Sequence, residues 1–386
     1  MTTKSHLPLS SVEITFLGTA SAQPSSTRNH SSLALQLAGD VWLFDCGEGT
    51  QKQLQNTGVK RGKIEKIFIT HTHGDHIFGV VPLMASMLNG SGGMAEGAED
   101  SRSKVDLQQP QLEIYGPYGT RAYIRNNIIH THTLLGAPYV VHELRFSSDP
   151  LGDPEPSKLA HAESPNGCNI LQKDGVWSDF FDNGVVSVSA APILHSVPCV
   201  GYVVQEAPVP GKIDPKVYIP DLKRTNTPMS ALGRLQRGEN VELSDGSVLH
   251  GPKKTPGRKL VILGDTYDPS AIIPLAMEPD ILIHEATNAH LPGIDSSTKD
   301  ADTIDSVEER TKSRGHSTPQ MAGKFAKAIK AKNLVLNHFS SRYSGEQSEG
   351  AMTIMNAIGK LAADEFGDDV TCALDFMIVK VDLKRD

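Results

Sequence analysis

The stretch His71-Thr72-His73-Gly74-Asp75-His76 places three imidazoles and one carboxylate within six residues. It directly follows the apolar run Lys66-Ile67-Phe68-Ile69-Thr70, whose composition is typical of a buried β-strand. Imidazole nitrogens and carboxylate oxygens that converge on the loop after a strand are ligands that Zn²⁺ prefers. A chance cluster of this density is rare, so the motif predicts a metal site.

Further candidate ligands lie at the ends of other predicted strands. His195 follows the apolar run 185–190, Asp265 follows the run 260–263, and His338 lies near the end of the run 333–339. If these strands share a sheet edge, the three side chains face the same rim as the motif. Each of them alone is typical of a hydrogen-bonded loop residue. Together with the motif they indicate a second group of ligands.

The remaining pattern predicts a protein of mixed helices and strands. The helix that can be placed best begins at Ser317-Thr318-Pro319, where a capping residue precedes a proline in the first turn. A composition of 38% hydrophobic and 21% charged residues is typical of a globular protein with a sizeable core. Apolar runs that predict strands begin at Val12, Val41, Lys66, Leu112, Val185, Tyr202, Leu260, Ile281, Asn333 and Phe376.

The N-terminus and the cysteines bear on the compartment. Residues 1–10 lack the apolar region of a signal peptide, and no stretch reaches the roughly 18 to 20 apolar residues of a membrane span. Cys46, Cys168, Cys199 and Cys372 include no CxxC pair, which favours neither a disulfide framework nor a thiolate metal site. We expect an intracellular protein, cytoplasmic or alternatively nuclear, that does not bind a membrane.

Charge is distributed unevenly along the chain. The net charge of −8 excludes a generally basic protein that coats nucleic acid. Residues 206–258, which we call the arm segment, contain nine Lys or Arg against six acids and therefore carry a net charge of +3. Any contact with nucleic acid is thus predicted to be local, and the arm segment is the candidate; an ordinary solvated loop is the alternative.

Several motifs resemble one family closely. The strand-end residues stand in HTHGDH, HSVPCVGY, LGDT and NHFSSRY, and further motifs are GTASAQPSSTRNHSS, FDCGEGTQ, HEAT and GHSTPQMAG. Together, from about Ile14 to Val379, they resemble the tRNase Z family of the metallo-β-lactamase superfamily. The resemblance implies an α+β fold, a four-layer αβ/βα sandwich with a small protruding exosite arm. It also implies one domain over residues 1–386, with the arm segment inserted, and the length resembles the short, homodimeric form.

The resemblance also implies the ligand sets. One Zn²⁺ would be held by His71, His73 and His195, and a second by Asp75, His76 and His338. Asp265 would bridge the two ions, which gives two zinc ions per chain. Such a pair lowers the pKa of a water molecule and contacts both the attacking and the leaving oxygen of an in-line displacement. Hydrolysis of a phosphodiester is the reaction that this chemistry favours.

The same resemblance assigns the acid–base residues. Asp75 would be a metal ligand that also accepts the proton of the attacking water. His316 would donate a proton to the leaving oxygen, for which an imidazole is suited, and Glu285 would orient it. The alternative for His316 is a purely structural role at the N-terminus of the following helix. Asp45 would fix a ligand imidazole through the nitrogen that does not face the metal.

Three residues are candidates for substrate contacts. Arg28 and Asn29 lie in Pro24-Ser25-Ser26-Thr27-Arg28-Asn29, which resembles a PxKxRN loop that discriminates against tRNA already carrying CCA. Ser26 departs from that pattern, which has lysine there. Arg342 is predicted to pair with a backbone phosphate because a planar guanidinium matches phosphate oxygens, and a solvated surface arginine is the alternative.

We therefore predict a zinc-dependent endoribonuclease that removes the 3′ trailer of precursor tRNA after the discriminator base. Two other classes remain open from the sequence. A small-molecule phosphodiesterase of the same superfamily would not need the arm segment. A non-catalytic RNA-binding paralogue would tend to lose ligands or His316, which are present here.

Overall fold

The structure is a computed structural model that describes residues 9–90, 92–93, 105–150 and 159–383. Both termini, residue 91 and residues 94–104 and 151–158 of the predicted 1–386 domain lie outside these ranges. The helices are α1 (Thr50–Gln53), α2 (Gly74–Ile77), α3 (Val80–Met87), α4 (Thr120–His130), α5 (Pro215–Arg224), α6 (Ala231–Gln236), α7 (Ile273–Ala276), α8 (Ile304–Lys312), α9 (Pro319–Ala328) and α10 (Glu349–Phe366), with 3-10 turns at Leu54–Asn56, Arg61–Lys63 and Ser270–Ile272.

The strands alternate with these helices along the chain. They are β1 (Val12–Gly18), β2 (Ala20–Ser21), β3 (Ser32–Leu37), β4 (Asp40–Phe44), β5 (Ile64–Phe68), β6 (Leu112–Pro117), β7 (Tyr139–Arg145), β8 (Asn169–Leu171), β9 (Trp177–Asp182), β10 (Val186–Ile193), β11 (Cys199–Glu206), β12 (Val209–Pro210), β13 (Val241–Glu242), β14 (Val248–Leu249), β15 (Lys254–Thr255), β16 (Lys259–Ile262), β17 (Ile281–Glu285), β18 (Leu334–Asn337), β19 (Phe339–Ser340), β20 (Val370–Cys372) and β21 (Ile378–Lys380).

Two mixed sheets dominate the described residues. One has the order β21-β1-β3-β4-β5-β6-β7-β8, and the other has the order β20-β18-β17-β16-β11-β10-β9. In the first sheet the strands from β4 to β8 are parallel, and in the second the strands β16, β17, β18 and β20 are parallel. Parallel strands are buried on both faces, which explains why their sequences are nearly continuous apolar runs.

The sheets pack against each other and are covered by helices outside. Trp42, Phe44 and Phe68 of the first sheet share a buried core with Trp177 and Tyr202 of the second. A second core lies between the first sheet and helices α3 and α4, and a third lies between the second sheet and helices α9 and α10. The predicted α+β sandwich of four layers is confirmed.

Sequence patterns placed most of the central strands correctly. The runs beginning at Val12 and Leu112 coincide with the starts of β1 and β6, and the predicted capping residue Thr318 closes the first turn of α9. The longest described helix, α10, was not predicted, nor were the strands β3 and β7. Polar residues interrupt the apolar residues of β3, and polar and charged residues interrupt those of β7, which weakens the hydrophobic signal.

The arm segment folds around a small core of its own. Its helices α5 and α6 and the strand pair β13–β14 bury the side chains of Leu222, Leu235 and Val241. At its base, β12 pairs with β15, and Arg258 donates two hydrogen bonds to the carboxylate of Glu206, at 2.7 and 2.9 Å. This buried ion pair joins the two ends of the segment to the second sheet.

Among the described residues, no helix is both long and apolar enough to cross a membrane.

Candidate metal centre

The predicted ligands all lie beyond the carboxyl ends of strands at one edge of the sandwich. His71 follows β5, His195 follows β10, Asp265 follows β16, and His338 follows β18. His73 comes directly before α2, and this short helix carries Asp75 and His76. The fold therefore brings together residues that are far apart in the sequence, such as Asp75 and His338, which are 263 positions apart.

The first group consists of three histidines. Nδ1 of His73 lies 3.1 Å from Nε2 of His71 and 3.2 Å from Nε2 of His195. The second group consists of Asp75, His76, His338 and Asp265. In it, Nε2 of His76 lies 3.3 Å from Nε2 of His338, and Oδ2 of Asp75 lies 3.5 and 3.4 Å from these two nitrogens.

Asp265 faces both groups with different oxygens. Its Oδ1 lies 3.4 Å from Nε2 of His76 and 3.3 Å from Nε2 of His338. Its Oδ2 lies 3.7 Å from Nε2 of His71 and 3.9 Å from Nε2 of His195. A carboxylate placed in this way can bridge two metal ions, as predicted for this residue.

Hydrogen bonds fix the tautomers of two of these imidazoles. Nδ1 of His195 lies 2.7 Å from the carbonyl oxygen of Gly315, which can only accept, so this nitrogen carries the proton. Nδ1 of His76 donates to Oδ2 of Asp45 over 2.6 Å. In both rings, Nε2 faces the other ligands and is the nitrogen that could bind a metal ion.

Two threonines fix the remaining Nε2 ligands in the same way. The hydroxyl of Thr70 donates to Asp45 and therefore accepts from Nδ1 of His71, at 3.0 Å. The hydroxyl of Thr287 donates to Glu285 and accepts from Nδ1 of His338, at 3.2 Å. Four imidazole Nε2 atoms and two carboxylates thus converge, and a bound metal cation would stabilise such a set.

The donor set fits zinc in its spacing as well as its chemistry. With a Zn–N bond of about 2.0 to 2.1 Å, the ligand atoms of a tetrahedral site lie about 3.3 to 3.4 Å apart. The nitrogen–nitrogen separations of 3.1 to 3.3 Å within the two groups agree with this edge length.

The backbone around the centre is strained where ligands are held. His338 has φ of 56° and Asp45 has φ of 57°, although neither is glycine. Such conformations cost on the order of 1 to 3 kcal/mol each and persist only where surrounding contacts enforce them. Gly315, with φ of 86°, has to be glycine, because a Cβ atom there would lie 2.5 Å from Nδ1 of His195.

His316 lies above this centre and is paired with Glu285. Its Nδ1 donates to Oε1 of Glu285 over 3.0 Å, and its ring lies 5.1 Å from that of His195 and 5.6 Å from that of His338 between centroids. Glu285 is itself held by Thr266 N at 2.7 Å and by Thr287 Oγ1 at 2.6 Å. The Nε2 side of His316 is therefore the side left for a reacting group.

Burial and neighbouring charges shift the pKa values at the centre in different directions. Burial alone would lower the pKa of His76, but the carboxylates of Asp265 and Asp45 raise it. Burial lowers the pKa of His71 and of His195, which keeps these ligands neutral. Burial alone would raise the pKa of Asp265, but the nearby imidazoles of His338 and His76 hold it well below its usual range. For His316, burial lowers the pKa, yet the carboxylate of Glu285 outweighs it and raises the pKa to about 9. His316 is thus protonated near neutral pH.

The structure corrects the prediction that Arg28 contacts the substrate. The residue is 1% exposed, and its guanidinium donates to the carbonyl oxygens of Tyr343 and Ala373 and to the hydroxyl of Thr19. The ring of Phe339, next to His338 in the chain, lies 4.6 Å below it. Arg28 therefore ties the loop that contains it to the segment after β18 and does not reach solvent.

Asn29 and Arg342 lie nearer the surface. The amide of Asn29 donates to the carbonyl oxygen of Glu48 over 2.9 Å. Arg342 donates to Asp295, Asn288 and the hydroxyl of Tyr343, and its side chain remains 34% exposed. Both residues are held within the protein, and a contact of either with substrate stays a prediction.

Comparison with known proteins agrees with this geometry. A family model described as anti-Pycsar protein Apyc1 matches residues 12–91, which include the HTHGDH motif. Zinc phosphodiesterase ELAC protein 1 of Homo sapiens is 38% identical over 393 residues, covering 97% of this chain and 100% of the relative. Ribonuclease Z of Streptococcus thermophilus is 34% identical, over 92% of this chain and 94% of the relative. The chain belongs to the tRNase Z family.

A solved member of the tRNase Z family also matches in structure. The crystal structure of human tRNase Z, short form (ELAC1), superposes with a TM-score of 0.60 and 32% identity over 96% of this chain and all of that chain. The metallo-β-lactamase superfamily that the motifs indicated is thereby confirmed.

Sequence reasoning missed the residues that orient the ligands. Thr70, Thr287 and Gly315 fix three tautomers, and none was singled out for that role. Thr70 adjoins the HTHGDH motif, and Thr287 and Gly315 lie within HEAT and GHSTPQMAG, so their places in or beside recognised motifs are the signal that could have found them. Thr70 lies next to His71 in the chain, but the partners of Thr287 and Gly315 are 51 and 120 residues away, so those two pairings had no sequence signature.

Proposed function

We propose that this chain is a zinc-dependent endoribonuclease that removes the 3′ trailer of precursor tRNA by phosphodiester hydrolysis after the discriminator base. The observation that carries the proposal is the pair of ligand groups that share the two oxygens of Asp265, with the His316–Glu285 pair beside them. Relatives whose names describe a zinc phosphodiesterase and a ribonuclease Z support it.

We infer two zinc ions per chain. His71, His73 and His195 would hold one, Asp75, His76 and His338 the other, and Asp265 would contact both. When bound, the ions lower the pKa of a water molecule and stabilise the charge on the phosphoryl oxygens. Elemental analysis of the purified protein should give about two zinc ions per chain, and an active, folded protein without metal would falsify the mechanism.

The chain's own residues would move two protons. Oδ2 of Asp75 faces the ligand imidazoles and accepts the backbone N–H of Ala22 at 2.8 Å, so its other oxygen remains to accept the proton of the attacking water. As the bond between phosphorus and the discriminator's 3′ oxygen breaks, Nε2 of His316 donates its proton to that oxygen. The tRNA then ends in a 3′ hydroxyl and the trailer keeps the phosphate.

The arm segment would supply affinity for tRNA. Its arginines are largely neutralised: Arg224, Arg234 and Arg237 pair with acids of the same segment, and Arg258 pairs with Glu206. Its five lysines are exposed and form no ion pair with any residue that the structure describes; they are Lys212, Lys216, Lys223, Lys253 and Lys254. These lysines are the free positive charges that could neutralise phosphates.

The direct test is cleavage of a precursor tRNA with a 3′ extension. Purified protein should cut it after the discriminator base and leave a 3′ hydroxyl, and a chelator should abolish the cut. Hydrolysis of small phosphodiesters alone would favour the small-molecule phosphodiesterase. Binding of tRNA without any cut at full zinc content would favour the non-catalytic paralogue.

Replacing residues 211–253 by a short Gly-Ser linker tests the arm segment. This change keeps the β12–β15 pair and the ion pair between Glu206 and Arg258, which join the segment to the sheet. Cleavage of precursor tRNA should weaken greatly, while hydrolysis of bis(4-nitrophenyl) phosphate should stay nearly unchanged. An equal loss on both substrates would show that the segment is structural.

We further infer that the protein is a homodimer in the cytoplasm, in line with its resemblance to the short form. Light scattering of the purified protein should give twice the mass of 41.6 kDa. A monomer that is fully active on precursor tRNA would contradict the inference about assembly.

A further inference from the structure

Phe78 is an exposed aromatic side chain at the edge of the metal centre. It directly follows α2, the short helix that carries Asp75 and His76, and it is 56% exposed. Its ring packs on Gly74, where a Cβ atom would clash with Cε2 of Phe78. Gly74 lies between the candidate ligands His73 and Asp75, so the ring covers the backbone that joins the two ligand groups.

A second aromatic ring supports Phe78 from helix α4. The rings of Phe78 and Tyr123 lie 6.1 Å apart between centroids with an angle of 22° between their planes. Tyr123 is half-buried, whereas Phe78 is exposed. Contacts with Gly74 and Tyr123 restrict the ring of Phe78 while 56% of the side chain stays exposed, so a ligand that stacks on the exposed part loses little further conformational entropy.

We propose that Phe78 is a stacking platform for the first nucleobase of the 3′ trailer. This inference rests on the proposed function, because it assigns a residue to the same substrate. A phosphate held by the two ligand groups has a nucleotide on either side. His316, which would protonate the discriminator's oxygen, contacts the His195 and His338 side of the centre, whereas Phe78 contacts the segment between His73 and Asp75.

The chemistry of the platform matches the substrate class. Every base presents a π-face, so stacking on an aromatic ring holds single-stranded RNA without reading its sequence. Trailers that differ in sequence can then be placed equally well against one centre. A leucine in the same position would pack on Gly74 but would offer no flat face.

The test compares three variants on two RNAs. Phe78→Leu keeps an apolar side chain over Gly74 and removes the ring, and Phe78→Tyr keeps the ring. The two RNAs are a precursor tRNA and the same RNA with an abasic ribose at the first trailer position. On the intact RNA, Phe78→Leu should lower kcat/KM about ten-fold relative to the wild type, within the range of base–aromatic stacking. On the abasic RNA, Phe78→Leu and the wild type should have the same kcat/KM. Phe78→Tyr should behave like the wild type.

Leu194→Ala serves as the matched control, since Leu194 is another exposed apolar side chain beside a ligand, at 49% exposure. It should affect the intact and abasic RNAs equally. Zinc content and hydrolysis of bis(4-nitrophenyl) phosphate should stay unchanged in Phe78→Leu.

Three results would overturn the proposal. An equal loss of Phe78→Leu on both RNAs or on the small ester would mean that the ring only packs on Gly74. If the loss of kcat/KM in Phe78→Leu disappears on an RNA with an abasic discriminator, the base that stacks on Phe78 lies on the other side of the cut. If light scattering gives Phe78→Leu a different molecular mass from the wild type, the ring of Phe78 contacts a second subunit. Failure of the wild type to cut the intact RNA would instead refute the proposed function itself.

Discussion

The charged side chains of the metal centre and of the arm segment differ in their burial and in the sequence distance to their partners. At the centre the ligands are buried or half-buried, with His71 at 0% and Asp265 at 3% exposure, and several hydrogen bonds join residues far apart in the sequence. In the arm segment the lysines are exposed, and the exposed Arg234 and Arg237 pair with Glu239, five and two residues away.

This difference reflects two physical tasks. Hydrolysis requires donor atoms held to a fraction of an ångström, which only packed and hydrogen-bonded side chains provide. Binding a polyanion requires only positive charge of the right density, because phosphate neutralisation does not depend on exact geometry. Changes at the centre should therefore alter rate and metal content, and changes in the arm segment should alter affinity and salt dependence.

The largest effect is expected for Asp265→Ala. Removing the carboxylate that faces both ligand groups should lower the zinc content and abolish hydrolysis of precursor tRNA and of bis(4-nitrophenyl) phosphate alike. Asp268→Ala is the matched control, since Asp268 lies three residues away and its carboxylate bonds only the turn at Ser270. If Asp265→Ala keeps full activity and two zinc ions per chain, Asp265 is not needed as a bridging ligand.

The second prediction concerns His316→Ala. It should keep its zinc and its affinity for tRNA but slow single-turnover cleavage by roughly a hundred-fold or more, the scale of a lost general acid. A 4-nitrophenyl ester needs little protonation of its leaving group, so its hydrolysis should suffer much less. Glu285→Gln should share this substrate-dependent pattern, because Glu285 holds the pKa of His316 above its ordinary value.

If both substrates slow alike in His316→Ala, or if zinc is lost, His316 is not the proton donor. Glu285 would then also not be the residue that orients the proton donor.

The third prediction concerns the support of the ligands. Asp45 accepts hydrogen bonds from Nδ1 of His76 and from the backbone and side chain of Thr70. Asp45→Asn replaces an acceptor with an amide donor in this set and should weaken zinc binding about 10- to 100-fold, the usual scale for such partners. A chelator titration measures this change, and excess zinc should restore most of the rate. Unchanged affinity would show that Asp45 does not orient His76.

The smallest effect is expected in the arm segment. The double change Lys216→Gln and Lys223→Gln should weaken tRNA binding and reduce its salt dependence by about one unit of slope for each phosphate that is no longer neutralised. The rate on the small ester should not change. Lys60→Gln with Lys63→Gln removes the same charge at another exposed place and is the control. Equal weakening by both double variants would mean that overall charge matters and the arm segment does not.

The sequence predicted the chemistry of the centre because its donors are encoded locally. HTHGDH supplies four donors from one loop, and the other candidate ligands follow recognisable apolar strands. The strands themselves were predictable where they are buried on both faces, as in β17 and β18. Helix α10 was missed since its apolar side is interrupted by small residues such as Ala351, Gly359 and Ala362, which the helix buries.

Other features were decided only by the tertiary structure. The sequence alone predicted that Arg28 is free to contact a phosphate. In the structure it is buried, because its guanidinium donates to the carbonyl oxygens of Tyr343 and Ala373, which come 315 and 345 residues later. The same holds for the imidazole tautomers, which depend on contacts such as Gly315 with His195, 120 residues apart. A sequence determines which groups can donate or accept, whereas long-range packing determines which of them meet and which of them water still reaches.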